Sequence, residues 1–191
     1  MTFNRFTLLD LLSILGEEKV QKLISSFSCP KNGEICQFIN NNATNFAKRK
    51  ITVTHLILDD AKRFRAFFSL THKPLSISEE FLTGKAKRIF ERYTSYNPLS
   101  KRYEASGFLI AQLAKNFSYD DDELSGDSLI ETIIQILLPI QHEIGGRILY
   151  LECDKSKPKL LDFYKRNKFE PFKERHDNKD GVTYVQMLRV L

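Results

Sequence analysis

Cysteine is scarce in this chain: 191 residues carry three, Cys29, Cys36 and Cys153. So sparse and odd a set excludes a disulfide framework, and the thiols read as buried small hydrophobes. Cys29 and Cys36 are too far apart for a CxxC pair, and the four histidines, His55, His72, His142 and His176, are scattered. Zinc needs several such ligands at close, defined spacings, so no metal site is expected. Long apolar runs are also missing, and none approaches the roughly 20 residues of a membrane-spanning helix. The N-terminus lacks the basic, apolar, small-residue order of a signal peptide. Internal repeats and low-complexity tracts are absent, which excludes solenoids and biased linkers. Together these absences lead to the expectation of a soluble cytoplasmic protein without a membrane partner.

Hydrophobic residues make up 42% of the chain, with 15 Phe and 7 Tyr, enough for the core of one ordinary domain. The net charge of +5 is unevenly spread. Residues 62–102 hold ten Lys/Arg against three Glu, and residues 155–175 hold eight against three acids. Asp120, Asp121, Asp122 and Glu123 form an acidic knot between them. Basic patches of this kind hold phosphates, of a nucleotide cofactor or a nucleic acid, or are solvated helix faces.

Apolar spacing predicts helices over residues 8–27, interrupted at Gly16, and over about 35–46. Residues 51–58 and 64–71 read as a hairpin turning at Asp59-Asp60, and residues 74–78 as a break. A basic helix is expected from Ser78 to about Tyr93. Residues 107–114 are a nearly continuous apolar run, the pattern of a strand buried on both faces. A polar loop follows, then a helix from Asp127 to about Glu143, kinked or cut at Pro139 and closed by Gly145-Gly146. Residues 147–153 form another buried strand. Pro158 opens a short helix to Asn167, and two final strands, 169–172 and 183–190, form a hairpin. Strand, helix and strand in this order predict a right-handed crossover with parallel strands in a mixed α/β sheet.

A strand leading through a loop to a helix N-terminus is an anion site, because the first N–H groups and the helix dipole face the loop. Here it spans residues 115–128. Gly126 permits close backbone approach, Ser125 and Ser128 are candidate caps, and Ser128 with Glu131 fits a capping box.

These segments resemble the GNAT superfamily of acyl-CoA-dependent N-acyltransferases. The family strand ends R-L-A-V-D where this chain has Gln112-Leu113-Ala114-Lys115-Asn116. The family loop ends G-x-G-x-x-L-L, and Gly126-Asp127-Ser128-Leu129-Ile130 matches its last part. A second family segment, ending F-Y-x-x-x-G-F, matches Phe163 through Phe169, with Lys168 in place of the glycine. Leu124 stands where an earlier glycine is usual, and the loop is longer and acidic. Residues 120–123 are therefore expected to bulge away from the cofactor.

The resemblance implies one GNAT-like domain over residues 1–191, with residues 1–34 a helical N-terminal extension. The expected sheet is mixed and mostly antiparallel, with a central parallel pair splayed for acyl-CoA and helices on both faces. It implies acetyl-CoA as cosubstrate, no metal, and direct acetyl transfer to a primary amine of a protein, an aminoacyl-tRNA or a small molecule. A homodimer is compatible with it. Cofactor contacts would fall on Leu113, Ala114, Lys115, Asn116, Ser125, Gly126, Asp127, Ser128, Lys157 and Phe163. Tyr164, by spacing a packing aromatic beside Phe163, would protonate the departing thiolate. Glu104 is the implied base, with Glu152 a second candidate. Cys153 and His55 read as core. The competing expectation is a GNAT-like binding module that has lost catalysis and engages a partner protein or nucleic acid.

Overall fold

The computed structural model describes residues 2–30, 32–119 and 123–191. The chain divides into two compact units, one of Met1–Thr71 with Ile110–Leu129, the other of His72–Leu109 with Ile130–Leu191. Strands β1 (Phe3–Thr7), β2 (Val53–Asp59), β3 (Phe64–Ser78), β4 (Ser95–Asn97), β5 (Arg102–Lys115), β6 (Ile148–Asp154), β7 (Glu170–His176) and β8 (Thr183–Val190) form one sheet in the order β1-β2-β3-β5-β6-β8-β7, with β4 on β5. The registered pairings are antiparallel except that of β5 with β6, which is parallel. The sheet is therefore mixed and mostly antiparallel around one parallel pair.

In the first unit, helices α1 (Leu8–Leu15), α2 (Glu17–Ile24), α3 (Gly33–Gln37) and α4 (Ala43–Lys48) surround the β1–β3 strands, with a π-helical turn over Phe38–Asn42 joining the last two. Thr7 caps α1 by accepting from the Asp10 N–H at 3.1 Å. Leu8, Val20, Ile24 and Ile39 bury completely against Leu56, Phe64 and Phe67. This corrects the expectation of a helical N-terminal extension. Phe3–Thr7 is a strand paired with β2, and the helices after it supply core. Five residues of alternating character are too short to announce a strand without a partner.

In the second unit, α5 (Gly84–Tyr93) packs Ala86 and Phe90 against Tyr103 and Phe172. Helix α6 (Gly126–Ile144) starts in the first unit and continues into the second, where Ile130, Ile133, Ile134 and Leu137 are buried. Helix α7 (Pro158–Arg166) begins at its proline.

The expected break at residues 74–78 and the expected cut of α6 at Pro139 do not occur. β3 runs through Pro74, an exposed position where a missing N–H is tolerated, so the expected break at 74–78 is strand and α5 begins later than foreseen. α6 passes Pro139 and reaches Ile144, because Pro139 lies on the exposed face, where water satisfies the released carbonyl. Among the described residues no helix is long and apolar enough to cross a membrane.

Candidate active site

In the first unit the end of β5 leads through a loop to the start of α6. Ser125 Oγ accepts from the Ser128 N–H at 3.0 Å, and the Ser128 hydroxyl donates back to the Ser125 carbonyl at 2.8 Å. The cap is therefore Ser125, one turn before the expected Ser128–Glu131 box, and Glu131 instead accepts from Gln135. Ser125, Asp127 and Ser128 are exposed at the positive end of the helix dipole. Leu124 is buried, which accounts for an apolar residue at a usual glycine position. The expected acidic bulge at 120–123 lies outside the described residues except for Glu123, which is exposed.

Asn116 is placed differently from a cofactor contact. It is buried at 3% exposure, and its side chain makes four hydrogen bonds to the protein. Oδ1 accepts from the N–H groups of Ser28 (2.9 Å) and Ser118 (3.0 Å), and Nδ2 donates to the carbonyls of Ser26 (3.2 Å) and Phe64 (2.7 Å). With both donors and both lone pairs used, Asn116 ties the start of the loop to residues 26–28 and to β3.

A second anchor escaped the sequence reading. The fully buried Asp59 carboxylate receives Arg63 Nε at 2.7 Å and Arg65 Nη1 at 3.0 Å, and both guanidinium groups lie over the Tyr119 ring at 5.3 and 5.0 Å. Burial pushes the Asp59 carboxyl up, but the Arg63 N–H and the two guanidinium groups outweigh it and hold it below its ordinary range. The signal available was an Arg pair at i, i+2 where the acidic turn leads into β3.

In the second unit the parallel ladder comprises Gly107↔Ile148, Phe108↔Leu149 and Leu109↔Tyr150. β6 then continues to Asp154 with its β8 pairing intact. Tyr164, on α7, is buried with its ring against Phe163 (5.1 Å) and Phe169 (5.7 Å, edge-on). Burial, with the Cys153 thiol nearby, pushes its phenol well above the usual value, so it is fully protonated near neutrality. Cys153 is itself pushed up to about 11 by burial and by Asp154, the state of a core thiol and not of a nucleophile. Lys157, ahead of α7, pairs with Asp154 at 3.4 Å.

The two carboxylates considered as bases are placed poorly for that work. Glu104 accepts the Ser76 hydroxyl at 2.7 Å. It lies three residues before Gly107, while Cys153, beside Tyr164, lies five beyond Ile148; the register separates them along the strands by about 25 Å. Glu152 is gripped by Arg175 (Nη2–Oε2 2.7 Å, Nε–Oε1 3.1 Å) and by Gln186 (2.7 Å). Burial raises its pKa, but these bonds outweigh that and hold it low, leaving a weak base. His55 is kept neutral to about 4 by burial and Arg5, and lies against Phe68 as a core residue. Among the described residues no group of three or more His, Cys, Asp or Glu side chains could hold a metal ion.

The strand order, the short parallel ladder and the strand–loop–helix unit define the GNAT fold. Comparison with solved structures agrees. AtaT complexed with acetyl-methionyl-tRNAfMet superposes with a TM-score of 0.68 at 12% identity, covering 99% of this chain and 95% of AtaT. A Tyr→Phe mutant of KacT superposes with a TM-score of 0.68 at 12% identity, covering 100% and 95%. A Tyr→Phe mutant of the AtaT toxin, bound to the C-terminus of the antitoxin AtaR and acetyl-CoA, gives 0.60 at 12%, covering 100% and 94%. No family model matches the sequence. No curated protein matches it either.

Proposed function

We propose that this protein is an acetyl-CoA-dependent N-acetyltransferase whose acceptor is the α-amine of an aminoacyl-tRNA. The observation that carries this reading is the fold shared over nearly the whole chain with AtaT, seen with acetyl-methionyl-tRNAfMet. The basic composition, with a sequence pI near 9.0, suits an RNA acceptor. Three cysteines outside any disulfide suit the cytoplasm.

In this reading the exposed start of α6, at Ser125–Ser128, takes the pyrophosphate, and Leu113–Lys115 present backbone to the pantetheine arm. Asn116 holds that loop in place. Phe163, whose ring packs on Tyr164 at 5.1 Å, and Lys157, ahead of α7, are further cofactor contacts in this reading. The neutral amine attacks the thioester carbonyl, the C–S bond breaks, and the thiolate receives its proton from the Tyr164 hydroxyl. The proton shed by the attacking nitrogen passes to solvent, since Glu104 is remote and Glu152 is bound to Arg175, and solvent returns a proton to the Tyr164 phenolate.

Calorimetry with acetyl-CoA, followed by acetylation of charged tRNA, tests the reading. The expected result is micromolar binding, with kcat lowered about 100-fold or more in Tyr164→Phe and KM little changed. No binding at hundreds of micromolar would instead identify a non-catalytic binding module. Full activity in Tyr164→Phe would remove Tyr164 from the acid role.

A further inference from the structure

The second unit holds a cavity of about 430 Å³ at the beginning of the parallel ladder, lined by Arg92, Tyr93, Ser95, Glu104, Ser106 and Arg147 among others. The guanidinium groups of Arg92 and Arg147 lie over the same Tyr93 ring, at 5.3 and 5.2 Å from its centre. Among the described residues neither forms a salt bridge, whereas several other basic side chains of this unit, Lys85, Lys155, Lys157 and Arg175, do. Two cations over one ring repel each other, Glu104 lines the same cavity without an ion pair to either, and a bound anion relieves the repulsion.

We propose that this cavity is a phosphate subsite for the RNA acceptor, with Arg92 and Arg147 clamping a backbone phosphate. The proposal rests on the aminoacyl-tRNA reading above. Guanidinium forks match phosphate oxygens two at a time, and the Ser95 and Ser106 hydroxyls supply neutral donors beside them. Glu104 closes one wall. A carboxylate there repels a second phosphate and accepts from a ribose 2′-hydroxyl, the group that separates RNA from DNA. This gives Glu104 a recognition role in place of the base role that its distance from Tyr164 denies it.

Geometry supports an extended ligand. The cavity is lined by Ser106 and Ile148, and the ladder ends at Leu109–Tyr150. A phosphate held here therefore lies about 17 Å along the strands from the level of Cys153, the neighbour of Tyr164. One or two nucleotides carrying an aminoacyl ester span that length. A lone small amine cannot reach both places.

Fluorescence anisotropy with the full chain and labelled, deacylated bulk tRNA tests this between 50 and 300 mM salt. The Arg92→Gln/Arg147→Gln double variant is expected to bind at least 10-fold more weakly at low salt. Its slope of log Kd against log salt should be flatter by between about 1 and 2 units. The Arg92→Lys/Arg147→Lys double variant should recover the slope. Glu104→Gln should reduce the preference for a 12-nucleotide single-stranded RNA over the same DNA. Unchanged tRNA affinity and slope in the double Gln variant would overturn the proposal. So would a wild-type protein that binds inorganic phosphate at millimolar concentration but not tRNA, since that assigns the cavity to a small phosphorylated ligand. Acetyl-CoA titration in parallel separates the two readings. Loss of acetyl-CoA binding with intact tRNA binding sinks the acetyltransferase reading and leaves the subsite standing.

Discussion

Asn116 shows how a single residue changes meaning once its surroundings are known. Beside the RLAVD-type strand end it looks like a cofactor contact, but its four hydrogen bonds all go to protein. Asn116→Ala should destabilise the protein by about 2–4 kcal/mol, because it removes the partners of the buried Phe64 carbonyl and the part-buried Ser28 N–H. A urea midpoint shifted accordingly at unchanged slope would show this, and a loss below about 0.5 kcal/mol would contradict it. Tyr164 moves the opposite way. Its spacing reads as packing, and the structure keeps that packing, with the phenol in the protonated form a donor needs although burial makes it a weaker acid than an exposed tyrosine.

Among the elements, α7 and the parallel pair carry the sharpest local constraints. α7 ends in a Schellman motif: the Phe169 N–H donates to the Tyr164 carbonyl at 3.0 Å and the Lys168 N–H to the Lys165 carbonyl at 2.9 Å. Lys168 takes the left-handed position, φ +67°, that glycine occupies in the family motif. Lys168→Gly should raise the unfolding free energy by about 0.5–1 kcal/mol, since it removes the left-handed strain at some entropic cost. Thermal unfolding would read the gain, and a lower midpoint would refute it. In the parallel pair, a Cβ at Gly107 would sit 2.9 Å from Tyr150 Cε1, a ring atom of a buried residue. Gly107→Ala should cost about 1–3 kcal/mol by forcing that ring to move. A variant as stable as the parent would show that the ring yields freely.

For the whole molecule, the pH dependence of stability follows from His55. Burial and Arg5 lower its pKa from 6.5 to about 4 in the folded chain. Between those values the unfolded state binds more protons, so this contribution to stability is complete above 6.5 and is lost as pH falls towards 4. Its full size is about 3 kcal/mol. His55→Asn keeps an acceptor for Arg5, whose Nη1 lies 3.0 Å from His55 Nδ1, but cannot titrate. Denaturation from pH 4 to 7 should show a visibly flatter stability curve for the variant, and parallel curves would exclude His55 as the source. The charge of +5 acts at the same scale, favouring association with polyanions in a salt-dependent way.

Sequence alone determined the order of strands and helices in the second half of the chain, the parallel crossover and the position of Tyr164. Those features are written in local periodicity, in turn residues and in Pro158 at a helix start. It misread Phe3–Thr7, Pro74 and Pro139, because pairing and exposure decide whether a short segment is a strand or a proline is tolerated, and both depend on residues far along the chain. Only the tertiary structure could show that Asn116 is consumed by internal hydrogen bonds, that Glu104 and Tyr164 are drawn apart, and that Arg92 and Arg147 meet over Tyr93. A hydrogen bond or an uncompensated charge is a relation between atoms in space, and sequence spacing predicts it only within one element.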